Sequence, residues 1–180
     1  MIDTKKPHWV AAYTKSRNEK KVLERLTEAG YEAYLPLQRT LKQWSDRKKW
    51  VEEPLLKSYI FIRITEYEYY NALKIPGLVR YIYFEGKVAP IPDNQIEVLK
   101  LFIEEKLEIE TSDKPLNPGE LVEINIGKLK GYEGEVVRHN GKKRVVIQLD
   151  HISHALLVTV PRDYLSKKKT SKPISRCSNV

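Results

Sequence analysis

The sequence is poor in cysteine and in long apolar runs. A single cysteine, Cys177, occurs in 180 residues, which excludes a disulfide within the chain and favours a reducing compartment. No apolar run approaches the roughly 18–20 residues needed to cross a bilayer, and the segment before Pro7 lacks the apolar core of a secretory signal. We therefore expect a cytoplasmic protein without a membrane segment.

Motifs for catalysis and for cofactor binding are also missing. The sequence has no Gly-rich phosphate loop, no nucleophile elbow and no cysteine pair with metal-ligand spacing. The one conceivable zinc cluster is His151 and His154 beside Asp150, but residues three apart in a hairpin point to opposite faces. We interpret these residues as a polar turn between two strands. No enzymatic activity, metal or cofactor is expected.

Positive charge is unevenly distributed along the chain. Residues 1–107 carry 19 Lys and Arg against 15 Asp and Glu, residues 108–165 carry 8 against 9, and residues 166–180 carry 5 against none. Neutralising phosphates supplies most non-specific affinity for nucleic acid, so the first and last segments suit such a partner. The middle segment favours a protein partner. The basic tail over 166–180 is expected to be disordered.

The first part of the chain reads as strand, helix, strand, strand, helix, strand. The helices are expected to begin near Ser16–Glu19 and Thr65–Glu68, two pairs with the spacing of a capping box. The strands are predicted from apolar runs over residues 8–14, 31–37, 55–64 and 78–84. This order is the split βαβ arrangement of a ferredoxin-like antiparallel sheet. Both helices should cover one face and leave the other face available.

A third helix and a hairpin complete this part. Asp93 is expected to cap a helix whose buried side includes Ile96, Leu99, Phe102 and Ile103. Between the second and third predicted strands, the charged stretch from Ser45 to Lys49 is expected as an exposed hairpin tip.

The pattern changes after residue 107. Residues 108–118 are polar and contain two prolines, which predicts a linker. Short β-rich runs follow, and Asn140-Gly141 is the strongest short hairpin signal among them. Several short strands at this spacing predict a small β-barrel over 119–165. β-Branched residues such as Val145 and Val158 oppose a helical alternative.

Motifs in both parts resemble the NusG family of transcription elongation factors. Trp9 to Lys15 is similar to the opening strand of that family's N-terminal (NGN) domain, and Pro54 to Ile62 is similar to its Leu-Phe-Pro-Gly-Tyr-Val strand. Pro76 to Val79 and Gly86 to Pro92 match its next two landmarks. The stretch from Gly127 to Val136 resembles the KOW motif, with glycines Gly127, Gly131 and Gly134.

The resemblance implies an α+β chain with a ferredoxin-like NGN domain over 7–107 and an SH3-like KOW barrel over 119–165. Within the family, Tyr13-Thr14-Lys15 and Glu53-Pro54-Leu55 resemble RfaH. Gln43 to Lys49 is similar to the UpxY antiterminators of capsule-polysaccharide operons, which implies an operon-specific antiterminator. Two departures stand out: Leu56 where the family usually has Phe, and Lys57-Ser58 in place of Pro-Gly.

The resemblance also implies partners. The NGN domain would bind the clamp helices of RNA polymerase through an apolar depression formed by Tyr13, Leu56, Tyr59, Phe61, Tyr81 and Phe84. The non-template DNA strand would meet the first strand–helix junction at Lys15, Arg17, Lys20 and Lys21. A small-subunit ribosomal protein or Rho would bind the KOW domain of a monomeric factor.

Other interpretations of the same residues remain open. Tyr59 and Phe61 share one face of their strand, so they are either a binding surface covered by a partner or the barrel, or simply core. The four cations also suit a solvated helix end. A second set suits either a nucleic-acid contact or an exposed tip: Arg39, Lys42, Arg47, Lys48 and Lys49.

Two further alternatives belong to other classes of protein. Lys57 to Ile62 resembles the base-stacking strand of RNA-recognition motifs, although Val10 stands where the first strand should offer an aromatic. A KOW-type ribosome-associated protein would explain residues 119–165 only.

Overall fold

Two antiparallel sheets account for most of the strands. The computed structural model describes residues 5–44, 47–112, 119–125, 130–139, 142–148, 152, 155–160 and 165–167. The N-terminal elements are, in chain order, β1 (His8–Thr14), α1 (Glu19–Glu28), β2 (Glu32–Tyr34), β3 (Leu37–Gln43), β4 (Lys48–Pro54), β5 (Tyr59–Ile64), a 3-10 turn (Glu66–Glu68), α2 (Tyr69–Ala72), β6 (Leu78–Tyr81), β7 (Tyr83–Phe84), β8 (Lys87–Val88), β9 (Pro90–Ile91) and α3 (Asp93–Glu104).

The first sheet has the predicted split βαβ order. Its strands lie in the order β2-β5-β1-β6, and β9 also pairs with β1. Strand β1 is central, with Tyr13 opposite Tyr59 on β5 and Ala12 opposite Tyr81 on β6. The fifth strand, β9, was not predicted because a two-residue run has no alternation to detect.

Helices cover both faces of this sheet. On one face, Val22 and Leu26 of α1 share a buried cluster with Ile60 and Ile62 of β5. On the other face, α3 packs over the sheet: the Lys100 ammonium lies 5.2 Å from the ring centroids of both Trp9 and Tyr34. Residues of α3 that share a cluster with Tyr59 and Phe61 are Ile96, Val98, Leu99 and Phe102. The sequence pattern predicted that the second face of the sheet would be left available. This prediction is wrong, because α3 covers that face.

One predicted capping box forms and the other does not. The Glu68 carboxylate accepts a hydrogen bond of 2.8 Å from the backbone N–H of Thr65, which confirms the second box. At the first, the N-cap is Asn18 rather than Ser16, and Glu19 is the first residue of α1. The Glu19 carboxylate instead accepts a hydrogen bond from the backbone N–H of Ser58 in a neighbouring loop.

The hairpin is longer than its predicted tip. Strands β3 and β4 pair from Leu37 opposite Pro54 out to Gln43 opposite Lys48, forming a separate two-stranded ribbon. Most of its side chains beyond the base are exposed on both faces, so the period-2 apolar pattern that marks a half-buried strand is missing.

The second sheet has six strands in the order β10-β14-β13-β12-β11-β15. They are β10 (Ile109–Ser112), β11 (Glu120–Ile124), β12 (Glu133–His139), β13 (Lys142–Gln148), β14 (Ala155–Val158) and β15 (Leu165–Lys167). In the described part of this region every regular element is a strand, as predicted. Closure of the sheet into a barrel stays a prediction.

Two strands fall where the sequence suggested unstructured chain. Strand β10 lies inside the expected linker and pairs with β14, with Ile109 opposite Val158. It is also held by Arg144, a buried β13 side chain whose Nη2 donates to Glu110 Oε1 at 2.8 Å. Strand β15 includes the first two residues of the expected disordered tail; residues 168–180, Cys177 among them, lie outside the described residues.

Candidate functional site

Three loops meet at the beginning of α1. The backbone N–H of Thr14 donates to the Ser58 carbonyl at 2.9 Å, and that of Lys15 donates to the Gly77 carbonyl at 2.8 Å. The N–H of Ser58 donates to Glu19 Oε1 at 2.8 Å. These bonds fix the ends of β1 and β5 and the turn before β6 against one another. The landmarks that are far apart in sequence thus form one structural junction.

The backbone at this junction adopts unusual conformations. Arg17 and Ser58 have φ values of +60° and +62°, in the left-handed region that costs an L-residue about 1–2 kcal/mol. Gly77 has φ of +100°, and a Cβ at that position would lie 2.7 Å from Val22 Cγ2. Glycine is therefore required at residue 77. Strained residues held by surrounding hydrogen bonds occur preferentially at functional sites.

All four predicted DNA-contact residues are exposed at this junction. Lys15 and Arg17 lie in the loop that leads into α1, and Lys20 and Lys21 lie in its first turn. Lys57, which the sequence interpretation did not include, is exposed next to Ser58 and joins the same cationic surface. Glu19, the acidic residue among them, is buried, and its carboxylate accepts a hydrogen bond from the Ser58 N–H. The surface offered to a partner is therefore strongly positive.

The six predicted polymerase-contact residues do not form one exposed depression. Leu56, Tyr59 and Phe61 are buried in the cluster that α3 covers. Tyr81 is buried in the cluster on the opposite face of the sheet. Only Tyr13, which is partly exposed, and Phe84, which is exposed, offer surface. The physical reason is that α3 packs over these side chains, in a cluster that also includes residues of the second sheet such as Val122 and Leu156.

Tyr13 lies at the rim between the buried cluster and the surface. Its hydroxyl is 2.8 Å from the hydroxyl of Tyr59, and the two ring centroids are 4.6 Å apart. The guanidinium of Arg80, directly opposite on β6, lies 5.0 Å from the Tyr13 ring centroid. Burial, and then the bond to Tyr13, raise the pKa of Tyr59 well above its ordinary value. The Tyr13 ring therefore has the Tyr59 ring and the Arg80 guanidinium as neighbours.

Three further apolar side chains are exposed on the strands that follow Gly77. Val79, Tyr83 and Phe84 are about half exposed on β6 and β7. We call Tyr13, Val79, Arg80, Tyr83 and Phe84 the aromatic rim. Of these, the sequence interpretation included only Tyr13 and Phe84. The stretch from Leu78 to Phe84 is apolar or aromatic except for Arg80, and this was the signal that could have identified the others.

The family assignment rests on the part of the chain that contains this junction. Residues 7–100 match the family model described as "NusG: Transcription termination factor nusG". This span is more than half of the chain. The chain belongs to the NusG family. No curated protein matches the sequence significantly.

Solved structures agree at the level of the fold. A Thermotoga maritima NusG, solved in work on its domain interaction, is 17% identical over 92% of this chain and 99% of that chain, with a TM-score of 0.53. Two conformations of an MjSpt4:Spt5 complex match at 17% and 18% identity over 89% and 92% of this chain and 97% and 99% of those chains. Their TM-scores are 0.29.

Membership in the NusG family gives the unusual backbone a family context. Ser58 stands where the NusG motif carries glycine, at a φ that glycine adopts without strain. Of the three glycines that resemble the KOW motif, Gly131 has φ of +90° and Gly134 lies on β12 opposite Val122, whereas Gly127 lies outside the described residues.

The sequence predicts neither a metal site nor a membrane-spanning helix. In the described ranges no group of three or more His, Cys, Asp or Glu residues is arranged for a metal; His151, His154 and Asp150 are not among those residues. None of the described helices has the length and apolarity needed to span a bilayer.

Proposed function

We propose that this NusG-family protein binds the clamp helices of RNA polymerase through the aromatic rim and suppresses pausing or termination. The observation that carries the proposal is the continuity of two surfaces along β1. Tyr13 contributes to the aromatic rim and Lys15, two residues later, begins the cationic junction. One docking event would thus place the aromatic rim on protein and the cations on nucleic acid.

The aromatic rim has the composition of an interface anchor. Aromatic and Arg residues supply most of the energy at protein interfaces because they bury large rigid area. Tyr13 is fixed by Tyr59 and stacked against Arg80, so it loses little conformational entropy on binding. Beneath it, Tyr59 contacts Tyr13 from the buried cluster that also contains Leu56 and Phe61.

The cationic junction is proposed to contact the non-template DNA strand. Lys15, Arg17, Lys20 and Lys21 project from a backbone held by three loops, and Lys57 adds a fifth charge. The contact arises from these side chains rather than from the helix N-terminus, because Glu19 already places a carboxylate there. Phosphates would be neutralised by Lys and Arg without base readout.

Operon-specific antitermination on a polysaccharide-type operon is the finer proposal, supported by the RfaH-like and UpxY-like motifs. The second sheet, with its near-neutral charge, is proposed to close as a KOW barrel and to bind a small-subunit ribosomal protein or Rho. The RNA-recognition alternative is disfavoured because Tyr59 and Phe61, which would have to stack on bases, are buried.

Reconstituted transcription tests this proposal. The full chain is incubated with core RNA polymerase, and co-elution is measured for wild type, Tyr13→Ala and Tyr67→Ala, the last altering an exposed tyrosine away from the rim. We expect Tyr13→Ala alone to lose co-elution. Pausing is then followed on a template with a terminator. Equal retention of all three proteins would exclude the aromatic rim as the polymerase contact.

A further inference from the structure

The β3–β4 hairpin exposes two tryptophans on a cationic ribbon. Trp50 is 59% exposed and Trp44 is 57% exposed, whereas the third tryptophan, Trp9, is buried. The Trp44 backbone N–H donates to the Arg47 carbonyl at 2.8 Å and closes the tip. Both indoles keep more than half of their surface exposed, which leaves that surface available to a partner.

Register places the exposed groups in a continuous track on one face. Leu41 lies directly opposite Trp50, and Arg39 lies opposite Glu52. Alternation puts Lys48 on this same face, one step closer to the tip. The Arg39 guanidinium lies 6.0 Å from the Trp50 ring centroid. The track therefore runs from a cation at the tip, through an indole, to a second cation.

The track ends in a cleft of about 560 Å³ at the base of the hairpin. One wall consists of Leu37, Gln38, Arg39, Trp50 and Glu52. The other consists of the end of α3 and the start of β10, with Ile103, Lys106, Leu107, Glu108 and Ile109. The cleft is thus apolar, with polar groups at its margin, which suits a flat heteroaromatic ring with hydrogen-bonding edges.

We propose that this hairpin track is a binding site for single-stranded nucleic acid, with a base stacked on Trp50 and phosphates held by cations along the ribbon. Stacking on exposed aromatic rings beside a positive groove is the usual mode for unpaired strands. The site is distinct from the cationic junction at α1 and does not depend on polymerase binding.

Charge favours nucleic acid over a protein partner here. Residues 37–54 carry five Lys and Arg against three Asp and Glu. The track face itself carries Arg39 and Lys48 against Glu52, and Glu53, on the opposite face, is paired with Lys42. The track also lies close in sequence to the cationic junction, since only Leu55 and Leu56 separate β4 from Lys57. A nucleic-acid strand that extends from the cationic junction towards the hairpin would meet positive charge there as well.

Fluorescence anisotropy of labelled oligonucleotides with the full chain tests the site without polymerase. Probes are a 12-residue oligo-dT, a 12-residue oligo-U and a duplex of equal length. We expect either or both single strands to bind better than the duplex, and the dT-to-U ratio identifies DNA or RNA as the natural ligand class. Trp50→Ala should weaken binding by about ten-fold, as expected for loss of one stacked base.

Matched variants show whether a loss of oligonucleotide binding arises from the loss of base stacking or from a disturbed fold. Trp50→Phe should retain most affinity because it keeps a ring, and Tyr67→Ala should bind like wild type. Emission of the buried Trp9 in a Trp44→Phe, Trp50→Phe background reports that the fold is intact. The proposal is overturned if Trp50→Ala binds as wild type does or if the duplex is preferred. It is also overturned if no oligonucleotide binds while Trp50→Ala weakens a polymerase complex, which would indicate a protein contact.

Discussion

The backbone N–H of Ser58 donates a hydrogen bond of 2.8 Å to the buried carboxylate of Glu19. This single contact joins the loop before β5 to the first turn of α1. It also explains why Glu19 does not complete the capping box with Ser16 that its spacing predicts. The same bond holds Ser58 at a positive φ, so local strain and tertiary contact are coupled at one residue.

Replacing Ser58 by glycine should stabilise the protein. Glycine adopts a φ of +62° without the Cβ clash, although the more flexible unfolded chain offsets part of the gain. We expect the free energy of unfolding to rise by up to about 1 kcal/mol, measured by urea denaturation. Ser58→Ala, which keeps the Cβ, serves as the control and should give no gain. An unchanged or lower stability for Ser58→Gly would mean that the loop relieves its strain in another way.

Truncating Phe61 and truncating Tyr13 should have different consequences. Phe61 is fully buried, so Phe61→Ala should cost about 3–5 kcal/mol of unfolding free energy. Tyr13 lies at the rim, so Tyr13→Ala should chiefly weaken polymerase binding, by about 1–3 kcal/mol. Tyr13→Phe keeps the ring and should retain most of that affinity. Thermal denaturation and polymerase titration measure the two effects, and a purely destabilising Tyr13→Ala would argue against the rim.

Neutralising Lys15, Arg17 and Lys20 together by glutamine should weaken binding to single-stranded DNA and flatten its dependence on salt. Each lost phosphate contact lowers the slope of log K against log salt by about 0.7 for a single strand, so the triple variant should lose about 2 units. Affinity measured at four salt concentrations gives the slope. Glu24→Gln, on the same helix, is the matched control. An unaltered slope would identify these side chains as a solvated helix end.

Stability should fall at alkaline pH. Burial is the largest cause that raises the pKa values of Tyr34, Tyr59, Tyr69 and Tyr81, and that of Tyr69 reaches about 12. A raised pKa means that the folded state holds the proton more tightly than the unfolded chain does, whose tyrosines titrate near pH 10. The contribution of these protonated tyrosines to the free energy of unfolding is therefore complete below pH 10, and it is lost as the pH rises from 10 through 12. Urea denaturation at pH 8, 9, 10 and 11 follows it, and Tyr69→Phe should show a shallower loss. Constant stability over this range would contradict the burial of these hydroxyls.

Local signals predicted the elements that depend on local chemistry. The Thr65–Glu68 box forms as its spacing requires. The central strand β5 was also identified from its β-branched and aromatic residues, although it begins at Tyr59 rather than at Leu55.

Features set by tertiary contacts were not predictable from one sequence. The burial of Leu56, Tyr59 and Phe61 depends on where α3 packs, and α3 has a buried stripe that would suit either face of the sheet. Residues 109–112 form a strand because they pair with β14 and because Arg144 bonds to Glu110. Their own sequence, Ile-Glu-Thr-Ser, is mostly polar and predicted a linker. The structure therefore brings the four predicted cationic residues together at one junction, whereas only Tyr13 and Phe84 of the predicted aromatic set are exposed.

The pairing of β10 with β14 limits how far the two sheets can move apart. Four residues separate the end of α3 at Glu104 from Ile109, and a fully extended connection of that length spans at most about 18 Å. A free linker over 108–118 would span roughly 40 Å. Reaching a distant second partner while the first sheet stays docked would thus require β10 to detach from β14. Breaking the hydrogen bonds between β10 and β14 would therefore lengthen the connection between the two sheets, and the gain in length would depend on how many of these bonds are broken.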